Sequence, residues 1–275
     1  MMLTLGPLSI PVPAVMGILN VTPDSFSDGG NFDNLHIALR QAAIMAEGGA
    51  SLIDIGGEST RPGAASVPEQ EELDRIIPVI EAVRSVTDVP ISVDTSKAGV
   101  MREAVAAGAT MINDVAALRG EDALLAAAEL QVAVCLMHMQ GEPRTMQESP
   151  QYDNVVVDVA AFLEERIAAC VEAGISEDLV VVDPGFGFGK THVHNVELLA
   201  NLRQLRVRNR PVMVGVSRKS TLGKLTQREV DERLPASVAA AVVAVMNGAT
   251  IIRAHDVQAT VDALKVAQAV IEASK

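Results

Sequence analysis

Residues 180–191 read VVVDPGFGFGKT: a valine run, a carboxylate and a proline, three glycines alternating with phenylalanines, then a lysine and a threonine. The stretch sets two folds against each other. As a phosphate-gripping loop it would place the chain among nucleotide-binding open sheets. Its tail, Gly189, Lys190 and Thr191, fits the G-x-x-x-x-G-K-[ST] pattern. Its head does not. Pro184 stands where the first glycine belongs, and proline has no N–H to offer a phosphate. The pattern G-x-G-x-x-G fails as well, because Lys190 takes the place of the third glycine. What remains is a buried strand ending in Asp183. The glycines after it let the backbone turn tightly and approach a flat ligand, with Phe188 as an aromatic face.

Working outward, the valine run is one of eight apolar, β-branched stretches. They are AVMGILN (14–20), SLIDIGG (51–57), PISVDTS (90–96), TMINDV (110–115), VAVCLMH (132–138), LVVVDPG (179–185), PVMVGVS (211–217) and TIIRAHD (250–256). Helical patterns follow them, starting near 34, 69, 98, 121, 155, 195, 235 and 257. Pro235 suits the first turn of the seventh helix, and Gly248, Gly108 and Gly174 suit helix ends. Eight strand–helix repeats with nearly continuous apolar strands predict an α/β fold, a single (β/α)8 TIM barrel over 1–275. A doubly wound sheet usually has fewer strands, and GILNVTPDSFSDGG after the first one lacks the expected glycine spacing. No composition shift marks a second domain. Residues 1–12 are left over, and the far end of the barrel is the place they could plug.

With 275 residues and 49% apolar content the chain can bury a full core. Its net charge of −13 disfavours nucleic acid and anionic membrane, so an anionic substrate needs a local basic cluster. Cys135 and Cys170 read as reduced, buried thiols. The first residues lack a basic start with an unbroken apolar run, and no 18-residue lipid-spanning stretch occurs. A soluble, cytoplasmic protein is the expectation.

Barrel chemistry sits where strands run into the loops that follow. Here every such end is polar: Asn20, Asp54, Asp94, Asn113 with Asp114, His138, Asp183, SRKS (217–220) and RAHD (253–256). Asp94, Asn113, Asp183 and Lys219 form one set. Two carboxylates, an amide and an amine suit the edge of an aminopyrimidinone ring. The same carboxylates could be a general acid–base pair, or a metal site with Asn113. Arg61, Arg253, His255 and Asn20 form a second set. Arg253 and His255 lie two apart on one strand and so point to the same side. Guanidinium groups bind phosphate oxygens bidentately, so the set reads as a diphosphate clamp, with Asn20 offering an oxygen to Mg2+. The competing reading for Arg253 is an ion pair with Asp256 or another nearby acid. The loops 21–33 and 56–70 are long and are expected to act as lids. The stretch 234–249 is apolar nearly all round, which predicts burial against a second subunit in a homodimer.

Eight motifs now stand in order: GILNVTPDSFSDGG, DIGGESTRPGA, SVDTSK, INDV, CLMHMQG, DPGFGFGK, GVSRKS and RAHDV. Together, over residues 17–257, they resemble the dihydropteroate synthases, the folate-pathway enzymes targeted by sulfonamides. The resemblance implies a transferase that joins (7,8-dihydropterin-6-yl)methyl diphosphate to 4-aminobenzoate, giving 7,8-dihydropteroate and pyrophosphate. It implies a pterin pocket of Asp94, Asn113, Met137, Asp183, Gly215 and Lys219, and a diphosphate and Mg2+ site of Asn20, Arg61, Arg253 and His255. It also implies a 4-aminobenzoate site of Phe26, Thr60, Pro62, Phe188, Lys219 and Ser220. Asp94, Lys219, Arg253 and His255 would carry the chemistry. Pyrophosphate leaves readily once its charge is neutralised, and the carbon it leaves is conjugated to the pterin ring. A dissociative, S_N1-like route is therefore expected, with Asp94 stabilising the cation. The rivals are a methyltetrahydrofolate-dependent methyltransferase and a non-catalytic pterin-binding homologue. The role of Lys190 stays open beyond anchoring its loop.

Overall fold

The computed structural model describes residues 2–22, 31–60, 63–141 and 145–274, with the backbone alone for 31–33. The described chain opens with an antiparallel hairpin, β1 (Met2–Leu5) and β2 (Leu8–Pro11). Eight further strands follow: β3 (Ala14–Asn20), β4 (Leu52–Gly56), β5 (Ile91–Asp94), β6 (Met111–Asp114), β7 (Ala133–Met137), β8 (Val180–Asp183), β9 (Met213–Val214) and β10 (Ile251–Ala254). They lie in the order β8-β7-β6-β5-β4-β3-β10-β9, all paired in parallel. A bridge between Val182 and Val212 joins the two ends of this sheet into a nearly closed barrel. Outside it run α1 (Asn31–Glu47), α2 (Glu69–Val86), α3 (Ala98–Ala106), α4 (Ala123–Leu130), α5 (Val155–Glu172), α6 (His192–Ala200), α7 (Ser220–Thr226), α8 (Leu234–Met246) and α9 (Val257–Ala273).

The near-continuous apolar strands reflect two buried faces. Outward residues such as Ile53, Ile55, Val93, Ile112 and Val182 pack with Ile76, Val159, Leu163, Ala244 and Leu264 of the helices. Inward residues such as Met16, Leu52, Met111, Cys135, Val181 and Ile251 form a second cluster. Leu5, Leu8 and Ile10 of the hairpin belong to that inner cluster. Side chains alternate across a strand, so the residue two places on points inward again. Following Leu52, Met111, Val181 and Ile251 along their strands gives Asp54, Asn113, Asp183 and Arg253. The inner row thus turns from apolar to polar within one step of the pleat.

The strand positions agree with the sequence expectation, with three differences. Residues 2–11 form a two-stranded ribbon. β9 keeps only two residues, and 215–217 lie beyond its ladder with β10. The short helix α7 precedes α8 in one connection. Pro235 sits in the first turn of α8, and Gly108, Gly174 and Gly248 take positive φ at helix ends. No helix among the described residues is long and apolar enough to cross a membrane.

The hairpin's contribution to the inner cluster is testable. Leu8 is 2% exposed, so Leu8→Ala removes buried apolar volume far along the strands from the polar ends. The expected loss is about 2–5 kcal/mol in urea unfolding, with kcat per folded molecule unchanged.

Candidate active site

Four inward residues from four strands meet through hydrogen bonds. Arg253 on β10 donates from Nε to Asp54 Oδ2 at 2.6 Å and from Nη2 to Asp94 Oδ2 at 2.8 Å. Asn113 Nδ2 also donates to Asp54 Oδ2, at 3.0 Å. Asp54 is fully buried, and its Oδ1 has no hydrogen-bond partner. Burial works against the charge on Arg253, but the carboxylates of Asp54 and Asp94 outweigh it and hold the guanidinium ionised. Asp94 is different. Burial raises its pKa above the usual carboxylate range against the pull of Arg253, and the charge of Asp54 adds to the rise. One cation shared by two acids leaves the pocket floor an acceptor in excess.

The β8–α6 turn is built against β7. Asp183 O accepts the His138 N–H at 2.9 Å, and Asp183 Oδ1 accepts the Gly185 N–H at 2.7 Å. Gly185 has φ +69°, and a β-carbon there would lie 1.8 Å from His138 O, so glycine is required. The Gly187 N–H is taken by Asn195 Oδ1 at 2.8 Å and the Phe188 N–H by Gly185 O at 3.0 Å. Three N–H groups that a phosphate loop would present are thus spent within the protein, and Lys190 is buried. The phosphate-loop reading fails in the structure for a reason beyond Pro184. Burial raises the pKa of Asp183 to about 6, while its bond from Gly185 and the charge of Lys219 oppose the rise. Phe188 packs with Met137, Met139 and Met146, and Lys219 Nζ lies 4.1 Å from its ring centroid, in cation–π contact.

At the rim, Lys219 directly precedes α7, Ser220 begins it, and Gly215 follows β9 beside Arg253. His255 follows β10. Ser217 Oγ accepts its backbone N–H at 3.2 Å and lies 3.0 Å from its Nδ1. The hydroxyl then donates to Nδ1 and leaves the ring proton on Nε2. Burial, with the charges of Arg253 and Arg218, lowers the His255 pKa to about 4, so the ring is neutral. Asn20 ends β3, half-buried. Thr60 lines a cavity of about 450 Å3 with Glu58, Asp94, Lys97 and Arg119. Phe26, Arg61 and Pro62 lie outside the described residues.

The structure therefore brings Asp94, Asn113, Arg253, Asp183, Lys219 and Phe188 to one end of the barrel. Arg253 pairs with Asp54 and Asp94; the partner of Asp256 is Arg218, at 2.6 Å. Sequence reasoning placed Asp54 at a strand end and gave it no task. Its signal is the lone acid at an inward position of LIDIG. Lys97, which pairs with Glu58 and the buried Glu72, was also passed over.

Residues 16–255 match the family model described as pterin binding enzyme. The dihydropteroate synthase of Escherichia coli K12 is 53% identical over 98% of this chain and 95% of its own length. A crystal structure of the Yersinia pestis dihydropteroate synthase with a sulfonamide drug superposes with a TM-score of 0.94 at 53% identity, covering 99% of this chain and 100% of that one. The Xanthomonas albilineans dihydropteroate synthase in complex with 7,8-dihydropteroate gives 0.89 at 50% identity, over 98% of each chain. With this likeness across nearly its whole length, the chain belongs to the pterin-binding enzyme family, among the dihydropteroate synthases.

Proposed function

We propose that the chain condenses (7,8-dihydropterin-6-yl)methyl diphosphate with 4-aminobenzoate to give 7,8-dihydropteroate and pyrophosphate. The observation that carries this is the excess of buried acceptors at the pocket floor. Asp94, Asp183 and the unpartnered Asp54 Oδ1 face too few donors of their own. A pterin ring presents N–H and NH2 groups along one edge and supplies the missing donors. Asn113 spends its Nδ2 on Asp54, which leaves its carbonyl oxygen as a further acceptor. Met137 and Gly215 are assigned to the same pocket. A methyltransferase would have little use for the cationic rim.

The diphosphate is assigned to Asn20, Arg61, Arg253 and His255. Arg253 uses Nε and Nη2 on the two acids, so its remaining nitrogen can reach an anion without breaking either bond. His255 is neutral and offers the diphosphate the N–H at its Nε2. Mg2+ belongs to the same proposal. Among the described residues no three His, Cys, Asp or Glu side chains gather around one point. A single amide oxygen from Asn20 suits an ion that keeps waters and phosphate oxygens as its other ligands. When bound, Mg2+ would neutralise charge on the departing diphosphate.

The CH2–O bond breaks with its electron pair leaving on pyrophosphate. Asp94 steadies the positive charge that spreads into the pterin. The neutral arylamine of 4-aminobenzoate then forms the C–N bond and gives up its proton to the departed pyrophosphate or solvent. Thr60, Pro62, Phe26, Phe188, Lys219 and Ser220 would hold this second substrate, with its ring on the Phe188 side of the Lys219 contact. Two free, buried thiols support a reducing, cytoplasmic setting.

A homodimer completes the reading. α8 and α9 form a groove of about 410 Å3 lined only by Val242, Met246, Ala263, Val266, Ala267 and Val270. Val243 and Val266 project at 44% and 66% exposure. Apolar ridge and groove on one face suit a two-fold copy of the same surface.

Three outcomes check this. Asp183→Asn should fold and lose about a hundred-fold or more in kcat/KM, read by pyrophosphate release. Across pH, kcat/KM should fall as pH drops through about 7 and on through about 6, because protonating Asp94 and then Asp183 removes their acceptor charge. A profile flat from pH 5 to 8 would contradict that. In light scattering the wild type should be a dimer at micromolar concentration and Val266→Glu a monomer; a monomeric wild type would overturn the dimer.

A further inference from the structure

Lys190 is 2% exposed, and its Nζ hydrogen-bonds no carboxylate among the described residues. Its contacts are His138 Nδ1 at 2.9 Å, His138 O at 3.3 Å and Phe188 O at 2.9 Å. Three acceptors match the three N–H groups of an ammonium. The same Nζ lies 3.3 Å from the point a β-carbon on Gly185 would occupy, so the cation sits directly behind the turn that carries Asp183. His138 is fixed in turn. Its ring packs edge-on against Phe162, with centroids 4.9 Å apart. Burial and the charge of Lys190 push its pKa down to about 3, so the ring is neutral and accepts at Nδ1.

The rest of the loop is clamped independently. Tyr152 donates to Gly189 O at 2.7 Å and Gln147 to Gly187 O at 2.6 Å. Asn195 links Gly187 to Thr221 of α7, the helix that Lys219 precedes. Burying an ammonium without a hydrogen-bonded carboxylate costs stability, and an apolar side chain of similar length would fill the site at less expense. Burial alone gives no stability reason for a cation at this place.

We propose that Lys190, seated on His138, is a positioning residue: its ammonium locks the Phe188 carbonyl and sets the Phe188 ring and the Asp183 carboxylate in register with Lys219. The inference rests on the proposed transfer reaction. Lys190 also acts through space. Asp183 faces Lys219 at the start of α7, Lys190 behind it, Arg253 on β10 and the un-ionised Cys135 on β7. Both lysines and Arg253 favour its charged form, so removing one lysine raises the pH at which Asp183 protonates.

The test uses the full chain, with Lys190→Met and Lys190→Gln. Pyrophosphate release from the dihydropterin diphosphate with 4-aminobenzoate is followed across pH, beside thermal unfolding. The expected result is a kcat/KM lower by about ten- to a hundred-fold in both variants. The acid limb should move to higher pH in both. Folded Lys190 is pushed down to about 7 from 10.5, so the folded state binds fewer protons over that window. Wild-type stability should then rise with pH relative to Lys190→Met, whose Tm at pH 7 should equal or exceed the wild type's. Variants within two-fold of wild type with an unmoved acid limb overturn the proposal. Failure of both to fold overturns it too, since Lys190 would then be a folding residue. An inactive wild type would instead sink the reaction itself.

Discussion

One guanidinium shared between two buried carboxylates sets the character of this barrel end. Arg253 cannot leave its place without stranding Asp54, which is fully buried, or Asp94 beside it. Removing one partner of such a group strands a charge in a poor solvent, which is far costlier than never burying it. The pairings also tie β10 to β4 and β5 at the mouth of the barrel. Burial, opposed only by a cation that Asp54 shares, leaves Asp94 loosely held in its ionised form. It is thereby ready to accept from a ligand rather than being consumed by its own counter-ion.

The opposite wall is organised by hydrogen bonds within its own turn. The glycines after Asp183 fold the chain back on β7 and use their own N–H groups internally. That leaves the turn unable to hold phosphate and able to present a carboxylate and an aromatic face. On the proposed reading, the acidic chain handles an anionic substrate by separating tasks. Acceptors line the floor, and Arg253, His255 and Lys219 stand above it.

Much of this was legible in the sequence, and the remainder was not for definite reasons. β3 was read to the residue, because six buried positions closed by the polar Asn20 leave no ambiguity. The rim polar residues were legible because each follows an apolar run by one step of the pleat. The hairpin of residues 2–11 was not: four-residue strands around a Gly-Pro turn carry little periodic signal. Nor was α7, whose seven residues, STLGKLT, hold a glycine and no amphipathic stripe. The partners of Arg253 lie 199 and 159 residues away, so only barrel closure reveals them. Lys190 and His138 are 52 apart, in the loops that follow the neighbouring strands β8 and β7, and neither residue type alone suggests the other.

The central claim is that the acceptor-rich floor takes a pterin edge while the rim takes its leaving group. A crystal structure of the chain with pterin and pyrophosphate bound tests it most directly. The account predicts the pterin ring against Asp94, Asn113 and Asp183, and the pyrophosphate at Asn20, Arg253 and His255. Pyrophosphate cradled instead by the backbone of residues 185–190, or a pterin away from Asp94 and Asp183, would contradict it.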